Sequence, residues 1–234
     1  MNLQKAYFDK KIHQYPQEKI ISLDRSHQFE IDHIASLLNL IPPKNLLDLG
    51  SGNGRISIPF LKKGFNIHAV DISKKSLQAL QLTYKKNKTP AWGQLTTSSS
   101  LPRNKKFDGV IGSDILHHVD LKETFPLIYE ALKPGETMVI SEPNAWHLPW
   151  YLYVFFLLSW DVEKGILHCS IPELKQILFN TGFDNIIIEG HGLLPTSIFN
   201  FSPFFARLNT LRLGNLPLVK FFAFRLMICA RRPQ

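Results

Sequence analysis

The 234-residue chain predicts an α/β fold whose sheet is mostly parallel, with helices on both faces. Three observations predict it. Apolar runs near 45–49, 66–70, 107–113 and 137–144 alternate with helical stretches near 54–63, 73–87 and 121–132, and crossover helices between strands make a parallel sheet. A glycine-rich turn joins the first run to the helix after it. An acidic residue, Asp71, closes the second run.

Taken in order, residues 5–20 are polar with an aromatic pair, Tyr7 and Phe8, and read as a lid helix. Residues 27–40 carry Phe29, Ile31, Ile34, Leu37 and Leu38 at helical spacing and run into the stop Pro42-Pro43. The third strand, near 91–96, is the faintest. Pro172 early and Gly182 past the end bracket a helix over 172–179. A sixth strand follows at 185–189, and 224–230 reads as the last.

The glycine turn is Asp48-Leu49-Gly50-Ser51-Gly52-Asn53-Gly54-Arg55. Glycines let the backbone turn sharply and let a ligand approach the main chain. The spacing is G-x-G-x-G. A dinucleotide fingerprint needs a glycine where Arg55 stands, and the Gly-Lys-Ser/Thr of a P-loop is absent. Asp71 lies about 20 residues beyond the turn, where a carboxylate binds the two hydroxyls of a ribose. The alternative for Asp71 is a helix cap ahead of Ser73.

Three glycines behind Asp48 resemble motif I of the class I S-adenosylmethionine-dependent methyltransferases. The likeness runs on through the strand Phe107-Asp108-Gly109-Val110, the helix start Leu116-His117-His118, the turn Leu132-Lys133-Pro134-Gly135 and the strand end Glu142-Pro143-Asn144. Together these are similar to the methyltransferase-11/12 type, and Tyr7-Phe8-Asp9-Lys10 resembles its N-terminal lid. The resemblance covers about residues 5–190. It implies a Rossmann-like seven-stranded sheet whose last strand inserts antiparallel between strands five and six. It also implies S-adenosyl-L-methionine as cofactor, held by Asp48, Gly50, Ser51, Gly52, Gly54, Arg55, Asp71, Ile72, Ser113 and Asp114. Two departures stand out. Glu136 replaces a second glycine after the Lys-Pro-Gly turn. The acid that meets the adenine amino group elsewhere in the family falls on Thr97, which leaves Thr97 or Ser98 to accept that bond.

The expected organisation is one domain over 1–234: lid and first helix over 1–40, cofactor-binding core over 41–145, and substrate-covering insertions at 146–170 and 190–217. The first insertion holds an uncharged aromatic run from Leu148 to Trp160, too short to span a bilayer, which takes about 20 apolar residues. It follows strand five, so it is placed to roof the substrate pocket and points to a lipophilic or aromatic acceptor. The second holds Phe204, Phe205, Leu208 and Leu211, with Arg207 and Arg212 on other faces.

The net charge is +8, and it is unevenly placed. No acidic residue follows Glu189, while Arg207, Arg212, Lys220, Arg225, Arg231 and Arg232 do, interleaved with phenylalanines from Phe199 to Phe224. Such a tail suits an anionic membrane surface or an anionic substrate, or is simply a final strand and a core-facing helix with solvated arginines; no nucleic-acid recognition module appears, and none is expected as partner. Two cysteines, Cys169 and Cys229, give no disulfide framework, and the first residues form no apolar signal stretch. A cytoplasmic protein with peripheral membrane contact is the expectation; the oligomeric state is left open.

Methyl transfer from a sulfonium is an in-line displacement that needs alignment more than a catalytic group, and a base helps only an acceptor that must lose a proton. His118 and, second, His117 are the expected catalytic residues; Glu142, His147, His168 and His191 are further candidates. Asp114, His117 and His118 fall at i, i+3 and i+4 of the expected helix, loosely like the acidic-histidine cluster of ubiquinone-biosynthesis O-methyltransferases, although no metal is assigned. No nucleophile elbow supports a Ser/His/Asp hydrolase. Two other readings compete with a methyltransferase. A nicotinamide-dependent reductase is disfavoured by the glycine spacing. A non-catalytic binding protein on the same fold is opened by the missing adenine acid.

Overall fold

Alternate residues of the central strands enter two different cores. Leu47, Val110, Met138, Ile140, Leu226 and Ile228 pack into one, while Leu46, Ile111, Val139, Met227 and Cys229 pack into the other. A strand buried on both faces shows this period of two. The computed structural model describes residues 3–10, 17–194, 201–209 and 213–234.

Seven strands form one sheet: β1 (Asn45–Leu49), β2 (Asn66–Val70), β3 (Leu95–Ser98), β4 (Phe107–Ser113), β5 (Leu132–Pro143), β6 (Asp184–His191) and β7 (Arg225–Arg231). Their order is β3-β2-β1-β4-β5-β7-β6. The pairs from β3 to β5 are parallel, and β7 lies antiparallel between β5 and β6. This is the topology that the resemblance implied.

The helices are α1 (Leu3–Lys10), α2 (Gln17–Ile21), α3 (Arg25–Leu38), α4 (Ser57–Lys62), α5 (Lys74–Asn87), α6 (Leu121–Ala131), α7 (Pro149–Leu157), α8 (Trp160–Glu163), α9 (Ile171–Thr181) and α10 (Pro203–Arg207). Ile31, Ile34, Phe60, Leu77 and Leu80 bring α3, α4 and α5 onto one face of the sheet. Leu121, Phe125, Ile128, Leu174 and Leu178 bring α6 and α9 onto the other. Helix starts follow their caps: Asp24 accepts the His27 N–H, Ser73 that of Ser76, and Asp120 those of Lys122 and Glu123.

Two expectations shift. β3 starts at Leu95, because the amide of Gly93 bonds Leu61 and that of Gln94 bonds the Asn66 side chain. The expected turn at 132–135 is instead part of β5, where a register shift opposite Phe107–Gly109 takes up the extra residues and Gly135 sits at φ +80°. The insertion at 146–170 folds as α7, α8 and the 3-10 turn Lys164–His168. Of the expected lid, residues 11–16 lie outside the described residues, as do Phe199, Leu211 and Arg212 of the second insertion.

Candidate active site

The ends of β1, β2 and β4 open onto a cavity of about 470 Å³, within the range of small-molecule sites. The turn between β1 and α4 forms its floor, with Gly50, Gly52 and Gly54 at φ +68°, +51° and +104°. A Cβ on Gly50 would meet Ile115 at 2.7 Å, and one on Gly54 would overlap Leu80. One on Gly52 would meet nothing within 4 Å. Gly50 and Gly54 are therefore glycine for packing, while Gly52 bares its main chain to the cavity.

Asp71 stands beside it. Its Oδ2 accepts the Gly52 N–H at 2.8 Å and its Oδ1 the Ser73 N–H at 2.7 Å. Burial raises its pKa against these two amide bonds. Each oxygen keeps a lone pair that a ribose diol can use. Asp71 thus lines the cavity beside the glycine turn and fastens that turn. Helix α1 docks alongside: the Ser73 hydroxyl donates to Asp9 at 2.6 Å.

Asp48 lies beneath the floor and does not reach the cavity. It accepts the Ser57 hydroxyl at 2.5 Å, its Oδ1 is buried without a partner, and burial pushes its pKa up to about 7. Ser51 and Ile72 line the cavity.

A buried ion network forms one wall. Arg55 donates to Ser113 at 3.0 Å, to Asp114 at 2.6 Å and to Glu30. Arg225, the first residue of β7, meets the other Asp114 oxygen at 2.8 Å and lies 3.6 Å from Glu30. Burial opposes ionisation of both carboxyls. The guanidiniums outweigh it, holding Glu30 at about 2 and Asp114 well below the carboxylate range. The metal-binding face of Asp114, His117 and His118 considered from their spacing does not form. Both Asp114 oxygens belong to arginines, and residues 116–118 make a 3-10 turn, not a helix.

The two histidines have opposite environments. His117 is buried, with Nδ1 donating to Glu142 at 2.7 Å and Nε2 to Glu163 at 3.2 Å. Burial lowers its pKa, but the Glu142 charge and hydrogen bond, then Glu163, raise it to about 10. His118 lines the cavity; burial and the neighbouring His117 charge lower its pKa to about 4. His117, His118 and Glu163 offer donor atoms within 4.8 Å of one another.

Thr97 and Ser98 are not brought to the cavity. Thr97 accepts from Gln81 at 2.7 Å, and Ser98 donates to the Ser100 carbonyl at 2.7 Å and pairs with His68. Gln81 of α5 and His68 of β2 engage the two hydroxyls, and neither Thr97 nor Ser98 lines the cavity where the cofactor contact was expected. Nor does the aromatic run wall the cavity: among the described residues, its lining takes nothing from 146–170. His147, His168 and His191 are also elsewhere, bonded to Phe222, bonded to Glu173 and packed beside His33. Spacing gave no sign of Glu30, Glu163 and Arg225, whose partners are distant in sequence. Phe8 was visible only as part of the lid; its ring edge meets His118 at 5.0 Å.

The methyltransferase-domain family model matches residues 24–187. The chain is 28% identical over 171 residues to the ubiquinone biosynthesis O-methyltransferase of Rickettsia canadensis, covering 70% of this chain and 72% of that protein. Its fold is similar to phosphoethanolamine N-methyltransferase 2 of Haemonchus contortus in complex with S-adenosyl-L-methionine (TM-score 0.66, 19% identity), covering 100% of this chain and 61% of that one. It is also similar to magnesium protoporphyrin IX methyltransferase of Synechocystis with bound S-adenosylmethionine (TM-score 0.59, 16% identity, 98% and 97% covered). The open cradle at Gly52, the carboxylate of Asp71 and this match over most of the chain lead to one conclusion: the chain belongs to the methyltransferase-domain family and is a class I S-adenosylmethionine-dependent methyltransferase acting on a small molecule.

Proposed function

We propose that the acceptor is a lipophilic molecule bearing a hydroxyl group, taken up at an anionic membrane surface. The outward face of α7 carries this reading. Trp150 stacks on Phe224 with centroids 5.0 Å apart and donates to its carbonyl, and Tyr151 donates to the Ala145 carbonyl at 2.6 Å. With Val154 they anchor the inner side. Leu152, Phe155, Phe156 and Leu157 point outward, Phe155 and Phe156 being 78% and 73% exposed. Among the described residues no helix is long and apolar enough to cross a membrane, and the attachment we propose is peripheral. Apolar side chains entering lipid gain roughly 25 cal/mol per Å². Exposed basic residues beyond Glu189, such as Arg207, add about 1 kcal/mol each near anionic lipid. The Rickettsia relative, named for ubiquinone biosynthesis, supports a lipophilic acceptor and transfer to oxygen.

In this reading Gly52 and Asp71 hold the cofactor. Bound S-adenosylmethionine supplies an electrophilic methyl group on a sulfonium. Helix α1, with Phe8 against His118, excludes water from the cavity. His118, neutral at physiological pH, accepts the hydroxyl proton.

Sedimentation with phosphatidylglycerol-containing and neutral vesicles tests the surface. The protein should pellet with the anionic vesicles at low salt, and a Phe155→Ser, Phe156→Ser double variant should stay in the supernatant. Equal behaviour of both proteins on both vesicles would refute the membrane reading.

A further inference from the structure

The two insertions meet along a short stretch of chain. The carbonyls of residues 221–224 each accept a side-chain N–H from residues 144–150. Asn144 Nδ2 donates to Phe221 and to Ala223, both at 2.9 Å, His147 Nδ1 to Phe222 at 3.0 Å and Trp150 Nε1 to Phe224 at 2.8 Å. The first donor is firmly rooted, since Asn144 is fully buried directly after β5. Rings reinforce the joint: Trp146 lies 5.6 Å from Phe221, centroid to centroid, and Trp150 stacks on Phe224. From its far side Phe224 gives its amide to the Gly192 carbonyl at 2.6 Å, just past β6. The 3-10 turn Val219–Phe222 is thereby fixed relative to the start of α7 and to the sheet.

What this joint presents outward is apolar. Leu218 is 80% exposed and Phe222 59%, and Trp146 and Leu148 are exposed just ahead of α7. Across 144–160 and 213–224, Lys220 is the only Lys, Arg, Asp or Glu. Its Nζ lies 5.8 Å from the centre of the Phe221 ring. Bare carbonyls are what such a turn would strand in an apolar medium, and here side chains already satisfy them. An apolar, aromatic face with one cation and no acid suits the surface of an anionic bilayer. Its apolar tips enter the acyl boundary, Trp and Tyr sit at headgroup level, and the cation meets a lipid phosphate.

We propose that the turn Val219–Phe222, with Leu218 before it, is the second half of a lipid-docking surface, held to α7 by the stretch Asn144–Trp150, and that its occupant is an anionic bilayer. This rests on the membrane reading above and extends it, because α7 alone does not make the contact. One joint carries both elements, so they enter lipid together. Once α7 has docked, the turn is already at the surface, and its contribution adds with little further loss of freedom.

The test is a lipid titration of full-length protein by vesicle sedimentation, with phosphatidylcholine vesicles that contain or lack phosphatidylglycerol. A Leu218→Ser, Phe222→Ser double variant should partition onto the anionic vesicles at least roughly tenfold more weakly than wild type, as should the Phe155→Ser, Phe156→Ser variant. Lys220→Glu should weaken partition onto the anionic vesicles roughly fivefold or more and leave the neutral ones unchanged. Phe179 supplies the control. It is 74% exposed, but α9 leads to Asp184, which pairs with Arg231 at the far end of β7 from Phe224. Phe179→Ser should bind like wild type. Calorimetric binding of S-adenosylhomocysteine should be alike in all, showing that they fold. Undiminished partition of the Leu218→Ser, Phe222→Ser variant beside a weakened Phe155→Ser, Phe156→Ser variant would overturn this proposal and leave α7 as the whole contact. Lys220→Glu binding anionic vesicles like wild type would overturn the anionic occupant. A wild-type dimer that Leu218→Ser, Phe222→Ser converts to monomer, with neither bound to vesicles, would overturn it in favour of a second copy. Failure of the membrane reading itself looks different: wild-type monomer would stay in solution with both vesicles.

Discussion

Arg225 Nη1 meets Asp114 Oδ1 at 2.8 Å, while Arg55 holds the other oxygen of the same carboxylate at 2.6 Å. One residue opens the inserted strand β7, one follows directly on β4, and one belongs to the glycine turn. The pairing thus ties the antiparallel strand to the cofactor floor. Asp114 takes φ +57° to reach both guanidiniums, a left-handed conformation that aspartate tolerates better than most residues.

Removing Arg225 leaves the buried Glu30 and the part-exposed Asp114 with one guanidinium between them. Breaking a buried ion pair from one side costs about 3–5 kcal/mol, because the remaining charge is uncompensated. Arg225→Met should therefore lower the urea midpoint strongly with an unchanged slope. A midpoint within error of wild type would show that the network is no structural tie.

The pH dependence of stability should carry the signature of His117. Glu142 and Glu163 raise its folded pKa to about 10 against the effect of burial. A group raised above its free value near 6.5 contributes fully below that pH, and its contribution fades as pH rises towards 10. Unfolding free energy should fall across this window, and His117→Asn should flatten the slope. Equal slopes in the two proteins would remove His117 from the account.

The cofactor floor makes a sharper prediction. Gly52→Val fills the open cradle and puts a β-branched residue at φ +51°, while Asp71→Asn removes the charge proposed to receive a ribose. Hydrogen bonds to a charged group contribute about 1.5–3 kcal/mol, so Asp71→Asn should weaken S-adenosylmethionine roughly 10- to 150-fold in calorimetry. Gly52→Val should abolish binding while the far-ultraviolet circular dichroism stays native. Undiminished affinity in both would move the cofactor elsewhere.

What could be read in the sequence is what local pattern encodes. Gly52 and Asp71 were legible because a strand, a tight turn and a second strand end fix their separation. The place of β7 in the sheet came from family likeness alone, since nothing in 225–231 states its neighbours. Thr97 and Ser98 were misplaced because counting back from Leu101-Pro102 cannot show that His68 and Gln81 claim their hydroxyls. The Asp114 cluster failed because helical spacing was applied to a 3-10 turn. Glu163 joins His117 across 46 residues, and Arg225 meets Ser113 across 112. Such pairs follow from topology, which single-residue spacing does not contain. The aromatic run is similar: apolar composition names the residues, but only the anchors at Trp150 and Tyr151 decide that Phe155 and Phe156 face outward.

The last prediction concerns α1. The helix is latched over the site by two contacts of different kinds. Asp9 accepts the Ser73 hydroxyl at 2.6 Å, and Phe8 sets its edge against the His118 ring. Ser73 also gives its amide to Asp71, so the latch and the ribose position share one residue. A ligand that engages Asp71 should therefore steady Ser73, and through it Asp9 and the helix. Local openings of such a short element lie at the weak end of the stability range, where amide exchange is sensitive to small changes. Exchange over residues 3–10 should slow when S-adenosylhomocysteine is added. Asp9→Ala should exchange faster in the free protein and lose most of that slowing, with affinity reduced far less than by Asp71→Asn. If the ligand slows exchange at Gly52 and Asp71 but leaves residues 3–10 unchanged, α1 is a packed helix and not a lid.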